Sequence, residues 1–254
     1  MTDAQIAGTL EEVLGRFDKA GFRPTYRAMA GERWRLQVVP YLLSRGYWSG
    51  PMMITDMAVL TRTDDRGARR TWMSITPMEI ESQEIGCRFA SGHTVVMGLG
   101  MGWATVNAAV NPAVDRVTVV EMDDEVRSMI AAQGIIEQLP EAERAKVTVV
   151  AGDAMEYVPD APAETLLADI WLPLNGDERV EQVRRMQANT GARRVYFWGQ
   201  EMVIARHARK AGRPIDHASV ADAVAATRLP LIGPAEVPDY PDLIARATHW
   251  LRED

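Results

Sequence analysis

The sequence predicts a doubly wound α/β protein, a Rossmann-like and mostly parallel sheet, with a small helix and hairpin appendage at its amino-terminal end. Three observations carry this expectation. From Thr94 onward, short β-branched runs alternate with helix-compatible segments, the pattern of a parallel sheet covered on both faces. The first run passes directly into Gly98-Leu99-Gly100-Met101-Gly102, a tight turn that lets a ligand approach the backbone. The next three runs end in Glu121, in Gly152-Asp153 and in Asp169, at the sheet edge where doubly wound folds bind ligands.

The elements follow in chain order. Ile6, Leu10, Val13, Leu14 and Phe17 recur at three- and four-residue spacing and predict a helix over 2–19, capped by Thr2 or Asp3 and ended by Gly21. Arg33 to Tyr47 is apolar and aromatic but broken by Pro40 and Gly46, which leaves its secondary structure open. Segments 52–60 and 71–75 read as strands of a hairpin around an arginine-rich turn. The main sheet is expected from 94–97, 116–121, 146–150, 164–169 and 194–198, with helices over 104–110, 123–132 and 177–188 as right-handed crossovers. Two further helices, 217–227 and 239–252, flank a proline-rich stretch. The expected division is an appendage over 1–90 and a Rossmann-like domain over 91–254.

Composition narrows the class. The chain has 254 residues, 47% of them hydrophobic and 25% charged, which excludes disorder, collagen and coiled coil and allows a large core. Its single cysteine forms no internal disulfide or cysteine-rich zinc site, and His93, His207, His217 and His249 lack metal-ligand spacing, so no metal is expected. A net charge of -7 opposes attraction to phosphate backbones, and no nucleic-acid partner is expected. The amino terminus resembles no signal or transit peptide and no apolar run of about 18 residues occurs, so the expectation is a cytoplasmic protein without a membrane partner. A small-molecule partner is expected, and a homodimer is compatible with the sequence.

The candidate site lies on the carboxyl edge of the sheet. The dinucleotide fingerprint requires glycine where this chain has Trp103, which weighs against NAD. Glu121 falls roughly 20 residues after Gly98, where an acid accepts both hydroxyls of a ribose or else caps the next helix. Met122 adjoins it. Trp103, Trp171 and Trp198 fall at or beyond strand ends, where they serve either as core or as the walls of an acceptor pocket. Gln200 and Glu201, just after the last strand, reach the acceptor or complement a helix dipole. His93, His207 and the basic run around Arg206 read as surface, and Cys87 as helix packing.

Four motifs, VVMGLGMG, VTVVEMDDEV, VTVVAGDAMEYV and LLADIWLP, spanning 95–173, resemble those of class I S-adenosylmethionine-dependent methyltransferases, and within them the spermidine-synthase-like branch. The resemblance implies that Gly98, Gly100 and Gly102 border the methionine part of an S-adenosyl-L-methionine cofactor. It implies that Glu121 holds the ribose, that Asp153 with Ala154 borders the adenine, and that Asp169 faces the amino group or substrate. MMITDMAVLTRTDD followed by TPMEIES is similar to the amino-terminal hairpin and helix of spermidine synthases. The chain departs from that branch after the fourth strand: where the branch reads similarly to D-S-S-D-P, this chain reads Asp169-Ile170-Trp171-Leu172-Pro173. The branch's glutamine near Val59 and Leu60 and its Tyr-His-Glu signature within 76–81 are missing too. The expected activity is methyl transfer to a nitrogen or oxygen of a small acceptor, with Asp169 as base or orienting group and polyamines not accepted. The alternatives are aminopropyl transfer and a non-catalytic binding module.

Overall fold

The computed structural model describes residues 21–174, 176 and 178–250. The helix expected over 2–19 lies outside them.

Four antiparallel strands come first, β1 (Met29–Ala30), β2 (Trp34–Arg45), β3 (Pro51–Thr63) and β4 (Arg69–Ser74), paired in sequence order. The segment left open by Pro40 is thus a strand of 12 residues. Its register with β3 runs from Trp34↔Arg62 to Arg45↔Pro51 and passes over Pro40 and Asp56. Asp56 adopts φ 52°, and this irregularity admits a proline that has no N–H for the ladder. A second irregularity interrupts the β3–β4 register between Leu60 and Thr61.

Helix α1 (Pro77–Phe89) leads into the parallel sheet of β5 (Gly92–Met97), β6 (Val114–Glu121), β7 (Val147–Ala151), β8 (Thr165–Ala168) and β9 (Arg194–Phe197). Its strand order is β7-β6-β5-β8-β9. The chain therefore winds outward on one side of β5 and then on the other. The crevice at the carboxyl ends of β5, β6 and β8 is the switch point where such sheets bind ligands. Thr94 to Met97 and all of β8 are buried, as central strands covered on both faces must be. Between and after the strands lie α2 (Trp103–Ala109), α3 (Asp124–Gln133), α4 (Glu141–Arg144), α5 (Arg179–Thr190), α6 (Gln200–Lys210), α7 (His217–Thr227) and α8 (Tyr240–Trp250).

Side-chain to backbone hydrogen bonds fasten the amino-terminal segment to the parallel domain. Gln133 accepts from Arg27 N at 2.9 Å and donates to Arg27 O at 2.8 Å, and Gln138 does the same with Thr25 at 2.7 and 2.9 Å. Glu125 accepts the main-chain N–H groups of Arg33 and Trp34 at 3.0 and 3.1 Å.

Two side chains outside the site settle their readings. Cys87 is buried in α1 and its thiol is pushed up to about 12 by burial, as suits packing. His93, read as a surface residue, is half-buried in β5 between Thr118 Oγ1 at 3.0 Å and Arg116 at 3.2 Å, because its neighbour β6 presents both on the same face. Among the described residues, no helix is long and apolar enough to cross a membrane, and no His, Cys, Asp and Glu group is placed to hold a metal ion.

Candidate active site

A cleft of about 770 Å³ opens where the carboxyl ends of β5, β6 and β8 face the antiparallel sheet. That volume lies in the range of roughly 300–1,000 Å³ typical of small-molecule sites. Gly98, Glu121, Asp153 and Asp169 form its floor, and Trp34, Arg62 and Trp72 come from the opposing sheet.

The glycine turn is dictated by crowding. A Cβ on Gly98, at φ 95°, would stand 2.1 Å from the Asp169 carbonyl oxygen, and one on Gly100, at φ 50°, 2.4 Å from Met73 Sδ. Both glycines border the cleft. Gly102, expected beside them, does not border it. It caps α2 and faces Ile130 and Ile135 in the core, because the turn has already rotated into the helix.

Glu121 ends β6 with its carboxylate held by two main-chain amides. Leu99 N donates to Oε2 at 3.0 Å and Asp123 N to Oε1 at 2.9 Å, which fixes the carboxylate at the cleft floor with lone pairs to spare. The capping role that the sequence left open for Glu121 falls to Asp123, which accepts from Glu125 N and Val126 N. Asp153 and Ala154 line the next strand end, where Asp153 Oδ1 accepts from Met155 N at 2.8 Å. Met122, 72% exposed, sits at the rim.

Asp169 carries the perturbed chemistry. Gln83 Nε2 donates to its Oδ2 at 2.9 Å, and burial pushes its carboxyl up to about 7 against the opposing pull of Arg179. Glu79 also lines the cleft, and burial with the neighbouring Asp169 charge pushes it up to about 8. Thr76 caps α1 and Pro77 opens it, which places Glu79 and Gln83 one turn apart on the face toward β8. The sequence reading missed both, although the Thr-Pro start and the four-residue spacing of an acid and an amide were there to be used.

The three tryptophans predicted as walls all border the cleft. Trp103 is 4% exposed, and its indole nitrogen is buried without a hydrogen-bond partner. Trp171 donates to Gln182 Oε1 at 2.6 Å and Trp198 to Ser82 Oγ at 2.9 Å. Buried Arg179 stands 4.6 Å from the Trp171 ring and 5.7 Å from that of Trp198. It donates to the carbonyls of Pro173, Leu174 and Trp198, so it pins the loop after β8. Nothing in the local sequence marked it.

Gln200 does not reach the cleft. Its amide donates to Ile232 O and to the Tyr240 hydroxyl, each at 2.7 Å, because the start of α6 packs against α8 rather than toward the ligand edge. Glu201 is equally buried and accepts from Tyr47, Tyr196 and Tyr240 at 3.2, 3.0 and 2.7 Å, while burial pushes its carboxyl up to about 7.

No protein-family model and no curated protein sequence matches the chain. Among solved structures, the DhpI–SAH complex is 16% identical over 42% of this chain and 47% of its own, with a TM-score of 0.31. The glycopeptide N-methyltransferase MtfA complexed with S-adenosyl-L-homocysteine is 23% identical over 43% and 41%, at 0.34. Precorrin 8W decarboxylase of Methanobacterium thermoautotrophicum is 22% identical over 45% and 57%, at 0.33. The chain spans about half the length of these structures.

Proposed function

We propose that the chain is a methyltransferase that binds S-adenosyl-L-methionine in the cleft and passes the sulfonium methyl to a nitrogen or oxygen of a small acceptor. The observation that carries this reading is the Glu121 carboxylate, held by Leu99 N and Asp123 N at the end of β6 beside the glycine turn. A fixed, charged, two-oxygen acceptor at that position suits the adjacent hydroxyls of a ribose. In the same reading Asp153 and Ala154 border the adenine, and Gly98 to Gly100 border the methionine portion.

When bound, the donor supplies a methyl group already activated by its positive sulfur. The protein's task is then to align the nucleophile and exclude water. Trp103, Trp171 and Trp198 wall the acceptor side. Asp169, steadied by Gln83, accepts the proton of the attacking group once it is ionised, above about pH 7. Burial and the neighbouring Asp169 charge hold Glu79 toward its protonated form, so the two acids favour a single shared negative charge. That shared charge suits a single reactive amine or hydroxyl placed beside Asp169.

Parallel calorimetric titrations with S-adenosylmethionine, S-adenosylhomocysteine, decarboxylated S-adenosylmethionine and NAD test the reading. The first two are expected to bind. Tightest binding of NAD overturns the donor assignment, and a preference for the decarboxylated donor replaces methyl with aminopropyl transfer.

A further inference from the structure

Eight acidic side chains line the cleft, among them Glu79, Glu121, Asp153 and Asp169, against two basic ones, Arg33 and Arg62. Arg33 is committed: its guanidinium lies 3.5 Å from Asp123 and 4.0 Å from Glu125. Arg62 is not. It is half-buried, and its Nε is sealed from solvent with no hydrogen-bond partner. No carboxylate among the described residues pairs with it.

Two indoles flank Arg62, and across from it in β4 stands Arg70, itself 3.5 Å from Asp64. The Arg62 guanidinium stands 5.5 Å from the Trp34 ring and 5.7 Å from the Trp72 ring, and the two indoles meet edge to face at 5.3 Å. The β2–β3 register puts Arg62 directly across from Trp34, and the irregularity between Leu60 and Thr61 in the β3–β4 pairing falls beside Trp72. Ring faces attract a cation but offer its N–H groups no acceptor. With Nε sealed by the protein, the two terminal nitrogens, which carry no protein hydrogen bond and are not sealed, are left to meet a carboxylate bidentately.

We propose that Arg62, framed by Trp34 and Trp72, is the carboxylate anchor of the cleft, taking a ligand carboxylate in a charge-assisted, two-point contact. The inference rests on the function proposed above, and the carboxylate belongs either to the amino-acid end of the donor or to the acceptor.

The test compares the parent with Arg62→Met, which keeps an apolar stem between the two indoles, and with Arg62→Lys, which keeps charge without the fork. Circular dichroism and denaturant midpoints confirm that each is folded. The calorimetric probes are S-adenosylhomocysteine and its decarboxylated analogue, then benzoate and benzamide on the protein saturated with S-adenosylhomocysteine. If the donor supplies the carboxylate, the parent prefers S-adenosylhomocysteine over the analogue at least tenfold. Arg62→Met then brings the two within about threefold, Arg62→Lys falls between, and affinity for the analogue stays unchanged. If the acceptor supplies it, both nucleosides bind all three proteins alike, while benzoate but not benzamide binds the loaded parent and loses at least tenfold in Arg62→Met. Equal nucleoside binding together with benzoate binding that is absent or indifferent to Arg62 overturns the proposal. If neither nucleoside binds the parent, the donor reading falls instead, and benzoate against benzamide on the unloaded proteins decides Arg62 by the same criterion.

Discussion

Glu121 is held by main-chain amides, so its position depends on the backbone of the glycine turn and not on a partner side chain. Glu121→Ala is expected to weaken S-adenosylhomocysteine binding by about 1.5–3 kcal/mol, the worth of a charge-assisted hydroxyl pair, with circular dichroism unchanged. Undiminished affinity would remove Glu121 from the site. For Asp169, pushed up to about 7, the methyl-transfer rate should rise with pH through that value. Asp169→Asn should abolish the rise and cut kcat while S-adenosylhomocysteine affinity moves less than about threefold; a variant with parental kcat refutes the base assignment.

Glu201 provides a third residue-scale test, through stability. Its folded-state carboxyl is raised from 4.5 to about 7, so its protonated form favours folding at low pH and that contribution is lost as pH rises through about 7. Comparing denaturant midpoints at pH 5 and pH 8, the stability gap between parent and Glu201→Gln should shift against the parent by about 2–3 kcal/mol. A gap independent of pH refutes it. Residue identity at strand ends was readable in the sequence because Glu121, Asp153 and Asp169 follow directly from where the β-branched runs stop. The side a residue faces after a turn was not, which is why Gly102 and Gln200 were assigned to the cleft although Ile135 and Tyr240 hold them away from it.

At the scale of elements, the turn between β5 and α2 is locked to β4. The space beside Gly100 is taken by Met73 Sδ, to which Met101 N also donates at 3.0 Å. Gly100→Ala should therefore cost about 1–3 kcal/mol of stability, from φ 50° and from the clash, and part of this should return in the double variant with Met73→Ala. Thermal unfolding of the four proteins of the cycle measures it, and strict additivity would mean that Met73 does not confine the turn. The parallel strands and their helices were legible because each is a continuous apolar run between breakers. β2 was not, because Pro40 reads as a breaker unless its partner strand is known to yield at Asp56. The approach of Trp34, Arg62 and Trp72 likewise comes from cross-strand pairing and one ladder irregularity, neither of which is a local signal.

For the whole molecule, the cleft exists because the antiparallel sheet is held over the carboxyl ends of the parallel strands, and Glu125 is the fastener nearest the cleft wall. Its carboxylate accepts the N–H groups of Arg33 and Trp34, beside the Trp34 indole bond to Asp123 at 3.0 Å. It also sits so close to Gly31 that a Cβ there would stand 2.1 Å from Oε1, so the chain entering β2 is fitted to this one acid. Removing it leaves amides without acceptors and lets the wall bearing Trp34, Arg62 and Trp72 drift from the strand ends. Glu125→Ala is expected to lower stability by about 1–3 kcal/mol, to weaken S-adenosylhomocysteine binding, and to speed tryptic cleavage at Arg33 and Arg62. Glu125→Gln, which keeps a carbonyl for the same N–H groups, should recover most of all three. Denaturant midpoints, calorimetry and mass-mapped proteolysis read these effects. An alanine variant that loses stability yet binds the nucleoside as tightly as the parent would show that the antiparallel sheet covers the cleft without shaping it.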